Sequence, residues 1–179
     1  MVSIEKSVLV VVDVQGNLAR LMHDQERLFH NVRGLIRACR ILGIPLIVTE
    51  QVPEKIGPTV PEIAEHLSGI KPLPKNTFSC FLCEAFTAEL KSYKRKEVII
   101  CGIESHVCVY QTVSDLMEHQ FSVSVVADAV SSRTSENRMY GLDRMRALGA
   151  VITSTEMILM ELLRTSAHPK FRDLLGLIK

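Results

Sequence analysis

Few aromatic side chains, no excess of either charge and no long apolar run distinguish this sequence, and each shortage excludes a class of protein. Aromatic residues make up 5% of the 179 positions and tryptophan is absent. Twenty-one Lys and Arg stand against twenty Asp and Glu, a formal net charge of +1, and the densest basic run is Lys94-Arg95-Lys96. A surface that tracks phosphates needs a basic stripe, so neither nucleic acid nor an anionic membrane is the expected partner. No apolar stretch is long enough to span a bilayer, and the opening Met1-Val2-Ser3-Ile4-Glu5-Lys6-Ser7 has no basic region, apolar region and cleavage site in succession. A cytoplasmic location is the default expectation.

Cysteine is present, but five is an odd number. Cys39, Cys83, Cys101 and Cys108 lie among apolar residues, which reads as reduced thiols rather than a disulfide framework. The Cys80-x-x-Cys83 pair admits a redox reading. It follows no strand of thioredoxin pattern, however, and is expected to begin the helix after Phe78.

With 47% apolar residues the chain can bury a full core without metal or disulfide staples, and residues 1–179 read as one domain. No internal repeat, low-complexity tract or linker divides it. Five short β-branched runs read as buried strands: Val8 to Val12, Pro45 to Val48, Val98 to Cys101, Val123 to Ala127 and Val151 to Thr153. Their unbroken hydrophobicity is that of a parallel sheet covered on both faces. Helical spacing fills about Glu26 to Leu42, ending at Gly43 before Pro45, then Phe81 to Tyr93, Val107 to Met117, Tyr140 to Leu148 and Met157 to Leu163. The alternation predicts a three-layer αβα domain, α/β in class, with right-handed crossovers. From Gln51 to Thr77 seven Pro and Gly residues cluster, so this stretch is expected to be loop around one short helix near Pro61 to Leu67.

Ligands of open α/β sheets bind beyond the carboxyl ends of the strands, so the polar residues there are the candidates. Strand one runs into Asp13-Val14-Gln15, strand two into Thr49-Glu50-Gln51, the central strand into Gly102-Ile103-Glu104-Ser105-His106-Val107-Cys108, and the next into Asp128. Cys108 falls in the first turn of a helix that Ser105 is placed to cap, where the positive end of the dipole lowers a thiol pKa. Its other reading is a small buried hydrophobe. Asp13, directly after a row of valines, must be paired or face a cleft, or else is a turn Asp at a strand end. Lys75, in Pro74-Lys75-Asn76-Thr77-Phe78-Ser79, is by itself an ordinary surface lysine.

Asp-x-Gln after the first strand, Lys-x-x-Phe-Ser, and Gly-Ile-x-Ser-x-x-Cys after a later strand, in that order, together resemble the isochorismatase-like cysteine hydrolase superfamily from about Ser7 onward. Thr49-Glu50-Gln51, Gly57-Pro58-Thr59 and the tail from His168-Pro169-Lys170-Phe171 to Leu177-Ile178-Lys179 are most similar to its isochorismatase domain-containing protein subgroup. The resemblance implies a doubly wound, mostly parallel sheet of about six strands in the order 3-2-1-4-5-6. It implies Asp13, Lys75 and Cys108 as a catalytic triad, an oxyanion hole from the backbone N-H groups of Glu104 and Cys108, and a cis peptide at Ile103-Glu104. It places Gln15, Phe78, Ile103 and Glu104 at the substrate pocket, and Asp128 at a recurrent strand-end position. Metal-dependent amidases of the superfamily carry histidines where this chain has Glu50-Gln51-Val52-Pro53, so no metal and no cofactor is expected.

The activity so implied is amidase-like hydrolysis of a small-molecule substrate through a thioester, in a homo-oligomer. Two other classes stand beside it: a catalytically silent interaction protein that kept the fold, and a ribonuclease-type activity, against which the near-neutral charge speaks.

Overall fold

The computed structural model describes residues 1–177; Ile178 and Lys179 of the tail motif lie outside the described residues. Its six strands are β1 (Ser7–Val12), β2 (Leu46–Gln51), β3 (Leu73–Lys75), β4 (Glu97–Ile103), β5 (Ser122–Ser131) and β6 (Val151–Thr153). They form one parallel sheet in the order β3-β2-β1-β4-β5-β6, as the resemblance implied. The described helices are α1 (Gly16–Arg20), α2 (Gln25–Leu42), α3 (Pro53–Ile56), α4 (Pro61–Ala64), α5 (Glu84–Ser92), α6 (Tyr110–Glu118), α7 (Ser135–Ala147), α8 (Thr155–Leu163) and α9 (Phe171–Leu175). A 3-10 turn spans Cys80–Leu82 and a π turn Ser105–Val109.

The pleat of β1 divides the core in two. Leu9 and Val11 pack with Leu28, Val32, Leu35 and Ile36 of α2 and with Ile158, Leu159 and Leu162 of α8. Val8, Val10 and Val12 pack on the opposite face with Phe86 and Leu90 of α5, Val113 and Leu116 of α6, and Leu142 and Met145 of α7. Every residue of β1 is buried, which is why its sequence shows no polar alternation. Each valine or leucine so covered contributes on the order of 1.5–3 kcal/mol. The long helix α2 stops where expected, with Gly43 at φ 67°, its N-H on the carbonyl of Arg40 and the N-H of Ile44 on that of Cys39.

Four expectations are corrected. The stretch 51–77 is not loop around one helix: it holds α3, a shorter α4 and the strand β3. Proline hid that strand, yet β3 is a sheet edge paired only with β2, so Pro74 can occupy it without breaking a ladder on the other side. Strand β5 does not end at Ala127 but runs to Ser131, because a register shift opposite Ile100 and Gly102 lets Val130 and Ser131 continue the pairing. Asp128 is therefore inside β5, where its Oδ1 accepts from Thr155 N (2.8 Å) and Oγ1 (2.9 Å) and anchors the start of α8. Finally, Val107 to Met117 is no single helix, being divided between the π turn and α6, and α7 begins five positions before Tyr140, at Ser135, under a Thr134 cap.

The sheet order reverses between β1 and β4, and in open α/β sheets it is beyond the carboxyl ends of such a switch point that ligands bind. Two glycines let the backbone close around it. Gly102 has φ 113°, and a Cβ there would lie 2.1 Å from the carbonyl oxygen of Val12. Gly141 of α7 sits so near the π turn that a Cβ would come within 2.6 Å of the Ser105 carbonyl. Gly102→Ala should cost at least about 2 kcal/mol in denaturant unfolding, since the left-handed backbone alone accounts for about 1–3; an unchanged midpoint would contradict this packing.

Candidate active site

Asp13 follows β1 directly, in a left-handed conformation (φ 51°) that turns it out of the strand direction. Its N-H donates to the Thr49 carbonyl (3.2 Å), and the Thr49 hydroxyl donates to Asp13 Oδ1 (2.7 Å). Lys75 closes the short edge strand β3, opposite Gln51 in register. Its Nζ stands 2.7 Å from Asp13 Oδ2, and both side chains are almost wholly buried, at 1% and 3% exposure. The ammonium directs its protons to Gln51 Oε1 (2.6 Å) and to the carbonyls of Thr77 (3.1 Å) and Phe78 (3.2 Å). It thus meets Asp13 Oδ2 as an ion pair without an aligned hydrogen bond, and that oxygen keeps lone-pair capacity.

Cys108 is the neighbour of this pair: its thiol, 7% exposed, lies near enough to feel both the Asp13 carboxylate and the Lys75 ammonium. The structure therefore brings together all three residues of the expected triad. Burial, and then the Asp13 carboxylate, push the Cys108 thiol up to about 12, the Lys75 ammonium opposing them. The direction is opposite to the lowering expected of a helix N-terminus, because loss of water and an adjacent anion both disfavour thiolate. For Lys75, burial pulls the ammonium down, but Asp13 and the two nearby thiols hold it above its ordinary value. The resting site is a thiol, a carboxylate and an ammonium.

The π turn shapes the backbone at the sulfur. The Ile103-Glu104 peptide is cis. The Glu104 carbonyl accepts from the N-H of Val107 (3.0 Å) and Val109 (3.2 Å), and the Cys108 N-H between them is not tied to it. Ser105 does not cap this turn; no side chain does, and the buried Ser105 hydroxyl pairs with Ser132 Oγ at 2.7 Å instead. The Glu104 carboxylate takes the N-H (3.0 Å) and Nε-H (3.1 Å) of Arg133.

The residues expected at the pocket differ in what they present. Gln15 is fully buried, and its amide joins two segments: Nε2 donates to Gln51 O (3.2 Å) and Gly57 O (2.7 Å), and Oε1 accepts from Gln51 N (2.6 Å). Glu50 supports the same loop by accepting the N-H and hydroxyl of Thr59, both at 2.7 Å. Ile103 is buried in the core, Glu104 is nearly buried, and Phe78 is 53% exposed while its carbonyl serves Lys75. Reading the sequence missed Thr49 and Gln51 as partners of the charged pair. The signal was there, for a threonine beside the end of β1 is set by strand register alone, whereas Gln51 needed the unseen β3.

The fold and this cluster define a class: a doubly wound α/β domain with a sulfur, a carboxylate and an ammonium at the carboxyl edge of its sheet. The family described as Isochorismatase domain matches residues 7–157, and the chain belongs to it. Isochorismatase domain-containing protein 2 of Danio rerio is 39% identical over 98% of this chain and 88% of its own length. Among solved structures, MAR1 ribonuclease from Caenorhabditis elegans is similar at 39% identity and a TM-score of 0.93, over 99% of this chain and 91% of that one. YcaC from Pseudomonas aeruginosa, solved with hexane-2,5-diol and covalent acrylamide, superposes with a TM-score of 0.92 at 26% identity, over 98% and 90%. The fold is that of isochorismatase-family hydrolases.

Two outcomes follow from the electrostatics. Alkylation of Cys108 by iodoacetamide should keep accelerating above pH 9 instead of levelling off near 8.5 as for a free thiol, and Asp13→Asn should move the midpoint down, because an anion that disfavours thiolate is gone. A plateau below pH 8 in the unaltered protein would contradict the raised thiol. Lys75→Met should destabilise by about 3–5 kcal/mol in denaturant unfolding by leaving Asp13 buried and unpaired, with part of the loss recovered in the Asp13→Asn, Lys75→Met double variant.

Proposed function

We propose that residues 1–179 form a single-domain cysteine hydrolase that cleaves a small amide or related C-N bond, with Asp13, Lys75 and Cys108 as its triad. One observation carries the reading: a buried carboxylate pairs with an ammonium and acts on a neighbouring thiol, at the turn that follows the central strand. Because the thiol is protonated at rest, attack requires a base in contact with it. Asp13 takes the proton as Cys108 Sγ bonds to the carbonyl carbon. The oxygen that gains charge is met by the N-H groups of Glu104 and Cys108, donors of a kind whose removal typically costs about 10²–10³ in rate. Asp13 then protonates the leaving amine and the C-N bond breaks, giving a thioester. Water, deprotonated by Asp13, attacks the thioester and releases the acid and the thiol. Lys75 supplies a fixed positive charge beside Asp13 throughout. No resident metal or cofactor takes part in this scheme.

With the sulfur so little exposed, the substrate is a small molecule; of the expected pocket residues Phe78 has open surface to meet it, and the buried Gln15, Ile103 and Glu104 frame the site from behind. Covalent acrylamide in the Pseudomonas relative supports a nucleophile in this fold, since acrylamide is an acceptor for thiols. The name of the C. elegans relative favours a second reading, ribonuclease action. A net charge of +1 and, among the described residues, no grouping of three or more metal-ligating side chains lend that reading no further support. We further infer a homo-oligomer, from the exposed Phe78, Leu82, Met139 and Tyr140, and a cytoplasmic location, suited to five unpaired cysteines. No helix among the described residues is long and apolar enough to cross a membrane.

Acrylamide treatment followed by peptide mass mapping should find the adduct on Cys108, with none in Cys108→Ala. Asp13→Asn should lower hydrolysis across a panel of small amides by about 10²-fold or more. Labelling that is unchanged in Cys108→Ala would place the nucleophile elsewhere, and absence of adduct and turnover in the unaltered protein would favour the silent interaction protein. Steeply salt-dependent RNA binding would favour the ribonuclease.

A further inference from the structure

Cys80 is fully buried and takes no part in the hydrolytic scheme, yet it belongs to the same cluster as Cys108. Two hydroxyls connect them. Thr112 Oγ1 accepts the N-H of Cys80 (2.9 Å) and donates to the carbonyl of Cys108 (2.7 Å), so a single hydroxyl joins the two cysteine backbones. On the side-chain side, Thr49 Oγ1 lies 3.6 Å from Cys80 Sγ. Thr49 has one proton and gives it to Asp13 Oδ1, an acceptor only, so Cys80 is the donor in its contact with Thr49. Both thiols therefore neighbour one carboxylate, Cys80 through Thr49 and Cys108 as a group that feels both Asp13 and Cys80.

The Cys-x-x-Cys spacing suggested a different partner. Cys80 and Cys83 stand at the two ends of the 3-10 turn, Cys83 N-H donating to Cys80 O at 3.0 Å. Their sulfurs part company: that of Cys80 enters the site, and that of Cys83 turns to the carbonyl of Pro74 at 3.8 Å.

The geometry points to Cys80 as a resolving cysteine that forms a reversible disulfide with Cys108 when the nucleophile is oxidised by a peroxide. This rests on the reading of Cys108 as a reactive thiol. In the first step Asp13 takes the Cys108 proton, the sulfur bonds to one peroxide oxygen, the O-O bond breaks, and the departing oxygen leaves with that proton as water. Cys108 is now a sulfenic acid. In the second, Cys80 passes its proton to Thr49 as Thr49 passes its own to Asp13. The Cys80 sulfur bonds to the Cys108 sulfur, and the S-O bond breaks as hydroxide takes the proton from Asp13 and departs as water. Two thiols are oxidised and one hydrogen peroxide is reduced to two waters. A small thiol reductant restores both cysteines by exchange. The disulfide spares Cys108 from the sulfinic and sulfonic acids, which small thiols do not reverse.

The test is stoichiometric hydrogen peroxide on the purified protein, quenched by alkylation and read by intact mass and non-reducing peptide mapping. The expected product is about 2 Da lighter, has two fewer alkylatable thiols, yields a peptide pair joining Cys80 to Cys108, and reverts with dithiothreitol. Cys83→Ser should behave the same. Cys80→Ser keeps a donor for Thr49 and should instead accumulate a Cys108 sulfenic acid trapped by dimedone, then a product about 32 Da heavier that dithiothreitol does not reverse. A disulfide between Cys80 and Cys83, or direct passage of the unaltered protein to the heavier product, would overturn the resolving role while leaving Cys108 as the nucleophile. A Cys108 inert to peroxide, dimedone and acrylamide alike would overturn both readings.

Discussion

The contact between the carboxylate of Asp13 and the ammonium of Lys75 is the constraint on which the rest of the site depends. Neither charge can be buried alone without a penalty of several kcal/mol, and each is almost sealed from water. Their mutual need ties the three-residue edge strand β3 to the end of β1, across β2. Thr49 and Gln51, both on β2, hold the two partners by hydrogen bonds of 2.7 and 2.6 Å. The 51–60 segment is then secured by Gln15 and Glu50. A sheet edge that would otherwise be a loose strand of two or three bonds becomes part of the frame around the buried pair.

The same pair governs the sulfur. An isolated cysteine near a helix start would ionise more readily than in water, but this one is surrounded by apolar packing and an anion, and the net result is a thiol held up to about 12. A protonated nucleophile beside its own base is chemically inert until a substrate arrives to accept the sulfur. Lys75 balances the carboxylate without protonating it, so the three groups together carry no net charge.

Much of this was legible in the chain. The β-branched runs, the spacing of α2 and its Gly43 stop follow from periods of two and 3.6 and from glycine's left-handed freedom, all local properties. The order of three separated motifs, at three strand ends, singled out Asp13, Lys75 and Cys108. The hidden parts were those whose physics is not local. Strand β3 has little strand propensity and exists because β2 offers an unpaired edge. The last residues of β5 are strand because β4 shifts register, and Ser105 turns from capping to Ser132 because a buried hydroxyl finds a partner just past the end of β5.

What the residues alone determined is the class of fold, the buried strands and the chemical types gathered at their ends, since hydrophobic pattern and side-chain chemistry are written residue by residue. Only the tertiary structure decided which of those groups meet, that the Cys80 sulfur meets Thr49 while that of Cys83 turns to Pro74, and that water is kept from the Cys108 sulfur. Those outcomes are set by distances and by exclusion of water, and both exist only once strands remote in sequence lie side by side.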